Sequence, residues 1–217
     1  MRFAFWLGKE GAVETTVRRV PQQARSKERV ARVLAAADRI VAVEGVEALR
    51  MVRLAQDAGV SVGSLYQYLP DRDAVLDALA DEYLGRIEGT LDDLIAAAGQ
   101  QHWDDPVEGL VEVFAEVYRR EPGFRALWFG RHVSEAIRVA DREHKRRMAD
   151  GLRRIVLAQK MLPDREWVGR ACLAVHLMAD ALMQEAFRID PNGDTKMLRE
   201  LKTALRGYLA ELERRTD

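Results

Sequence analysis

The sequence predicts an all-α protein of about nine helices, and three observations carry that expectation. Apolar residues recur at intervals of three and four along the long segments, which is the stripe of an amphipathic helix. No segment alternates apolar and polar residues as a half-buried strand would. Glycine, proline and cap-forming Asp or Ser residues fall between the periodic segments, where helices stop and start.

Each element follows in order. Residues 1–20 show no clean period, and 1–24 are read as a flexible arm. Val30, Val33, Leu34, Ala37, Ile40 and Val41 define a first helix over 26–44, stopped by Gly45. Leu54, Ala55 and Ala58 form a short second helix ending at Gly59, and a third short segment runs from Val62 to Tyr68. Pro70 closes that segment, and Asp71 caps a long helix over 71–98 through Val75, Leu79, Ile87, Leu91 and Leu94. Further helices are expected over 105–120, then through Phe129 after a break at Glu121-Pro122-Gly123, then over 134–159, 164–189 and 195–214. Asp190-Pro191-Asn192-Gly193-Asp194 is the strongest loop signal.

Charge narrows the function classes. With 34 Lys+Arg against 35 Asp+Glu the net charge is −1, which excludes a globally basic binder and an acidic disordered tail. The charge is nonetheless uneven: residues 18–75 hold ten basic against seven acidic residues, whereas 76–217 hold 22 against 26. A basic front therefore joins an acidic body. No apolar run approaches the roughly 18–20 residues of a membrane span, and the start is too short for a secretory signal. The cytoplasm is the expected location, with no membrane partner. Cys172 is the only cysteine, so an internal disulfide and a Cys-based zinc site are excluded.

The second and third segments have the spacing of a helix-turn-helix, in which one helix projects into a groove about 12 Å wide while the other braces it. Ala55 is small where two helices meet, Gly59 stands where the turn needs positive φ, and Leu65 faces the core. Tyr66 and Tyr68 offer phenolic donors for phosphate oxygens, or serve as half-buried packing residues. Arg72 adds a charge.

The run Gly45-Val46-Glu47-Ala48, Leu54-Ala55-Gln56-Asp57-Ala58-Gly59-Val60-Ser61 and Gly63-Ser64-Leu65-Tyr66-Gln67-Tyr68-Leu69-Pro70-Asp71-Arg72-Asp73-Ala74-Val75-Leu76 resembles the signature of the TetR family of bacterial transcriptional regulators. The resemblance covers roughly residues 25–77. It implies a homodimeric repressor on double-stranded, palindromic operator DNA, with 25–70 as the DNA-binding head and 71–217 as the effector-binding and dimerisation domain. It further implies that Val62, Gly63, Ser64 and Gln67 read the groove, that Tyr66, Tyr68 and Arg72 contact phosphates, and that Arg25 and Lys27 form a basic arm. Three positions depart from the family's pattern. Leu49-Arg50 replaces the usual Thr-Thr, which removes the capping hydroxyl and offers Arg50 to a phosphate; Val62 replaces a frequent Lys; Leu69 replaces an aromatic residue.

In the body, Phe114, Tyr118, Phe124, Trp128, His132, Leu152, His176 and Met183 are candidates to line an apolar cavity for a small apolar or aromatic effector. His176 reads equally as a satisfied core histidine. Leu198, Leu201, Leu205, Tyr208 and Leu212 follow a 3-4-3-4 seam. Paired with Val168, Cys172, Val175, Ala179 and Leu182, that seam predicts a four-helix dimer interface, against the alternative that both faces bury within the chain. The helix over 71–98 touches both parts and is the expected lever between effector and DNA.

Chemistry of other classes finds little footing. His132 and Glu135 share a helical face, but no second such pair accompanies them, so no metal is expected. No cofactor is expected. The sequence contains no phosphate-binding loop, His-Glu-x-x-His or dinucleotide loop, which argues against an enzyme. The remaining alternative is a helical interaction protein that has kept the fold and lost DNA binding.

Overall fold

Helix ends follow the cap chemistry nearly to the residue. The computed structural model describes residues 22–129 and 134–215, with side chains from Ser26 onward. Among these residues it contains nine α-helices: α1 (Gln22–Glu44), α2 (Met51–Asp57), α3 (Val62–Tyr68), α4 (Arg72–Ala98), α5 (Pro106–Arg120), α6 (Pro122–Trp128), α7 (Glu135–Ala158), α8 (Glu166–Ile189) and α9 (Thr195–Glu213). A single 3-10 turn, Val46–Ala48, joins α1 to α2, and no strand occurs among the described residues. Asp71, Asp105, Ser134 and Asp194 each accept a hydrogen bond from a backbone N–H three residues on, as N-caps do. Gly45, Gly59 and Gly193 all take positive φ. None of the described helices is long and apolar enough to cross a membrane.

Three boundaries differ from expectation. Helix α1 starts at Gln22, four residues before the expected start at residue 26. The break at Glu121-Pro122-Gly123 is a single residue, because Pro122 suits the first position of a helix and starts α6 directly. A Cβ on Gly123 would overlap the Tyr83 hydroxyl and Asp38 Oδ1, so that glycine serves close approach within a helix. The start of α8 lies at Glu166 and not at Asp164, because the Asp164 carboxylate pairs with Arg153 and the cap position falls to Arg165, whose side chain makes no cap bond.

One hydrophobic core runs through both parts of the chain, from Val33 and Leu65 in the front to Met183 and Leu205 in the body. Helix α7 packs between α4 and α8, and α9 closes on α8. The front leans on the body chiefly through α1 against α6, where Tyr83 of α4 donates to Asp38 of α1 at 2.6 Å beneath Gly123. Buried Gln159 ties the α4–α5 link: its Nε2 donates to the Ala98 and Gln101 carbonyls at 2.8 Å, and its Oε1 accepts from Trp103 N.

Candidate functional site

Two regions hold the candidate residues: a projecting short helix at the front and a cavity in the body. At the front, the chain leaves α2 through Gly59 at φ +65, with Gly59 N–H on Gln56 O and Val60 N–H on Ala55 O. That pair of bonds satisfies the last carbonyls of α2 and turns the chain sharply. Ser61 then caps α3, its Oγ accepting from Ser64 N at 3.2 Å. Leu65 anchors α3 in the core, leaving Tyr66 (45%), Gln67 and Tyr68 (40%) exposed on its outer side. Gly63 lies in a helix, and a Cβ there would meet nothing within 4 Å.

Not every candidate projects. Val62 is half-buried and packs on the core. Ser64 is half-buried as well. Arg72 does not point outward: Nη2 donates to the Val46 carbonyl at 2.8 Å and to Glu47 Oε2 at 3.3 Å, while Nε is buried without a partner. From this place it braces the 3-10 turn against α4. The Arg50 guanidinium folds back on the Glu47 and Leu49 carbonyls, and no side chain caps α2, as the loss of a hydroxyl there implies. Arg53, counted in the basic front, is neutralised by a two-pronged bond to Glu44. Lys27 is exposed, and the Arg25 side chain lies outside the described residues.

In the body, Phe114, Tyr118, Phe124, Trp128, Leu152, His176 and Met183 all line one cavity of about 140 Å³, enclosed by α4 to α9. His132 lies outside the described residues, so its expected place in the cavity and beside Glu135 is not described. The aromatic side is a continuous stack: Phe124 meets Tyr118 edge-on at 5.1 Å, Trp128 at 4.6 Å and Tyr83 at 5.9 Å. Beside this stack the wall is polar, and of its residues the sequence reading named only His176. Asp141, His144 and Lys145 of α7 face His176 and Asp180 of α8 there. The only sequence signal was their i,i+3 and i,i+4 spacing, which on a helix as charged as α7 reads as a solvated face. A second space of about 190 Å³ adjoins across Trp128, Asp141 and Lys145.

Electrostatics at this end follow from burial. Burial lowers the His176 pKa to about 4, with the Asp180 carboxylate pulling the other way, so the ring is neutral near pH 7. Burial, with Asp180 nearby, pushes the Tyr118 phenol well above its ordinary value. His144 is held by Glu88, Nδ1 to Oε1 at 2.8 Å, and Glu88 also accepts from Arg147 at 2.7 Å. Those partners hold the Glu88 carboxyl below its usual range against its partial burial. Cys172 is buried and its thiol is pushed up to about 11, which leaves it unreactive.

The predicted interface needs correction. Val168, Cys172, Leu198, Leu201, Leu205 and Leu212 are buried within the chain, so the 3-4-3-4 seam of α9 closes the cavity and core internally. Val175 and Ala179 are half-buried lining of the same cavity, Leu182 packs on the core and Tyr208 on the α8–α9 cluster. The periodicity was right, but it pointed at the chain's own α5 and α8. The outward strip is different: Leu177 (45% exposed) and Ala181 on α8, Ala204, Gly207 and Ala210 on α9.

Comparison with known proteins adds two family matches: "Bacterial regulatory proteins, tetR family" over residues 33–79 and "Tetracyclin repressor-like, C-terminal domain" over 101–213. The HTH-type transcriptional repressor DrrR1 of Streptomyces coeruleorubidus is 33% identical over 91 residues, 42% of this chain and 32% of that protein. The chain spans about a third to two fifths of the length of the curated relatives it matches. A TetR-family transcriptional regulator from Streptomyces coelicolor superposes with a TM-score of 0.65 at 26% identity, covering 87% of this chain and 99% of that one. The multidrug binding protein EbrR, solved with imidazole, shares the fold at a TM-score of 0.61 and 22% identity, covering 88% and 97%.

Proposed function

The chain belongs to the TetR family of bacterial transcription regulators, and from that premise we propose a homodimeric repressor that holds a palindromic operator through α3 and is released by a small effector in the body cavity. The division of labour is a head over 25–70 and an effector-binding and dimerisation part over 71–217. The observation that carries the DNA reading is the exposure of Tyr66, Gln67 and Tyr68 on a helix whose one fully buried residue is Leu65. Phenolic hydroxyls and a carboxamide on a projecting helix suit phosphate oxygens and base edges. Gly63 supports it, because neither φ nor the chain's own packing calls for glycine there, whereas an approaching DNA backbone would. Repression is supported by the name of DrrR1, and ligand control by that of EbrR.

Dimerisation through the outward strip of α8 and α9 would set two α3 helices about one helical turn of DNA apart. An effector acts only by binding the DNA-incompetent spacing more tightly, by about 1–3 kcal/mol for a typical coupling. Two helices transmit that preference. Helix α4 carries Val75 and Leu79 in the core and Leu84 and Ile87 at the cavity. Helix α6 carries Phe124 and Trp128 at the cavity and Gly123 over the Tyr83–Asp38 bond that reaches α1.

The test is selection of genomic fragments by the purified protein, with a Tyr66→Ala, Gln67→Ala double variant alongside. Enrichment of a palindrome by the wild type alone is the expected result. No enrichment by either at low salt overturns the repressor reading in favour of an interaction module.

A further inference from the structure

The polar end of the cavity has an unbalanced charge and a vacant hydrogen-bonding atom, and together they specify a ligand. Asp141 and Asp180 bring two carboxylates, and Lys145 brings one ammonium. Lys145 Nζ sits 2.7 Å from Asp141 Oδ2 and 3.8 Å from Asp180 Oδ2, so one ammonium serves two carboxylates and lies nearer Asp141. At hydrogen-bond distance Asp180 receives, among the described residues, only neutral donors, Gln184 Nε2 at 2.8 Å and Tyr118 Oη at 3.4 Å, both on Oδ1. The neighbouring Glu88 is already answered by Arg147 and His144 and does not change this balance. One turn before Asp180 on the same face, His176 is 9% exposed, and its Nε2 is buried with no partner. A buried nitrogen left unpaired costs free energy, and a half-buried carboxylate that shares its one counter-charge with a second carboxylate is under-compensated. Both deficits are met by one group: an ammonium N–H directed at Asp180 with a second N–H donated to His176. An anion does the reverse, since it adds charge to two carboxylates and must win Lys145 from Asp141.

The remaining lining is Leu, Ile, Val, Met and aromatic, and a space near 140 Å³ accepts an aromatic ring. We propose that the cavity takes a small amphipathic amine, its aromatic or alicyclic body against Phe114, Phe124 and Trp128 and its protonated nitrogen between Asp180 and His176. This rests on reading the cavity as the effector site and names the class of ligand that site takes.

The probes are 4-phenylbutylamine, 4-phenylbutanol and 4-phenylbutyrate, which share a body and differ in head, titrated calorimetrically into the full chain. The amine is expected to bind about tenfold or more tightly than the alcohol, with the carboxylate weakest. Asp180→Asn removes that preference while the alcohol's affinity changes by no more than about threefold, and Ala179→Trp, which fills the cavity, removes binding of all three. Circular-dichroism melts of both variants show that they fold; if Asp180→Asn does not, Asp141→Asn and the wild-type series still read the preference. Equal binding of alcohol and amine, or tightest binding of the carboxylate, overturns the amine assignment and leaves the effector-cavity reading standing. Binding of none of the three, or binding that survives Ala179→Trp, overturns both.

Discussion

His176 shows how one buried side chain sets a pH dependence. Its proton uptake in the folded protein waits until about pH 4, whereas in the unfolded chain it occurs near 6.5. Between those values the unfolded state binds more protons, so stability is full above about pH 6.5 and falls as the pH is lowered toward 4. Linkage puts the loss from this residue at about 2 kcal/mol between pH 7.5 and 5. Urea unfolding of wild type and His176→Gln at those two pH values checks it: the variant's loss should be smaller by about that amount, and equal losses would show that the ring is not held neutral. Arg72 makes a related point about legibility. Its place beside the recognition segment suggested a phosphate contact, but Val46 O lies 26 positions earlier in the chain and captures the guanidinium. Nothing local to Arg72 announces that partner.

At the scale of elements, the turn into α6 is where the front and the body are locked together. Gly123 is buried against Tyr83 and Asp38, and a methyl group there must displace the Tyr83–Asp38 hydrogen bond. Gly109 of α5 is exposed, and a Cβ there meets nothing. Gly123→Ala is therefore expected to destabilise by about 1–3 kcal/mol through overpacking, and Gly109→Ala to stabilise by about 0.5–1 kcal/mol through helix propensity. Thermal melts of the two variants give opposite signs if α6 is clamped as described. A Gly123→Ala protein with unchanged stability would mean that α6 yields easily and transmits little to α1. Helix α6 as well as α4 therefore links the cavity to the front, because it carries Phe124 at the cavity and Gly123 against the Tyr83–Asp38 bond within a single turn.

For the whole molecule, the question is which surface pairs two chains. The buried leucines of the α9 seam cannot serve, since exposing them would open the core. The outward strip around Leu177 and Gly207 is apolar and small-sided, which allows helices to approach closely. Leu177→Arg is expected to weaken a dimer by at least about tenfold in Kd while the melt stays within about 0.5 kcal/mol of wild type. Leu201→Ala, at a site with no exposure, is expected to cost about 2–5 kcal/mol of folding instead. Sedimentation at several concentrations together with melts separates the two, and a Leu177→Arg protein that remains dimeric places the interface elsewhere.

Helix ends, the Gly59 turn, the short exposed helix α3 and the cavity's aromatic lining were legible in the chain itself. Caps act over three or four residues, positive φ selects glycine locally, and large apolar residues must go inside whatever their partners are. Packing between distant elements settled the rest. The seam of α9 has a period but no label for its partner, so only the assembled core shows that it faces inward. Likewise Asp141, Lys145 and Asp180 read singly as surface charges; they meet on one wall of the cavity because α7 and α8 lie side by side and bring them to His176, half out of water, where charges interact more strongly than in bulk solvent.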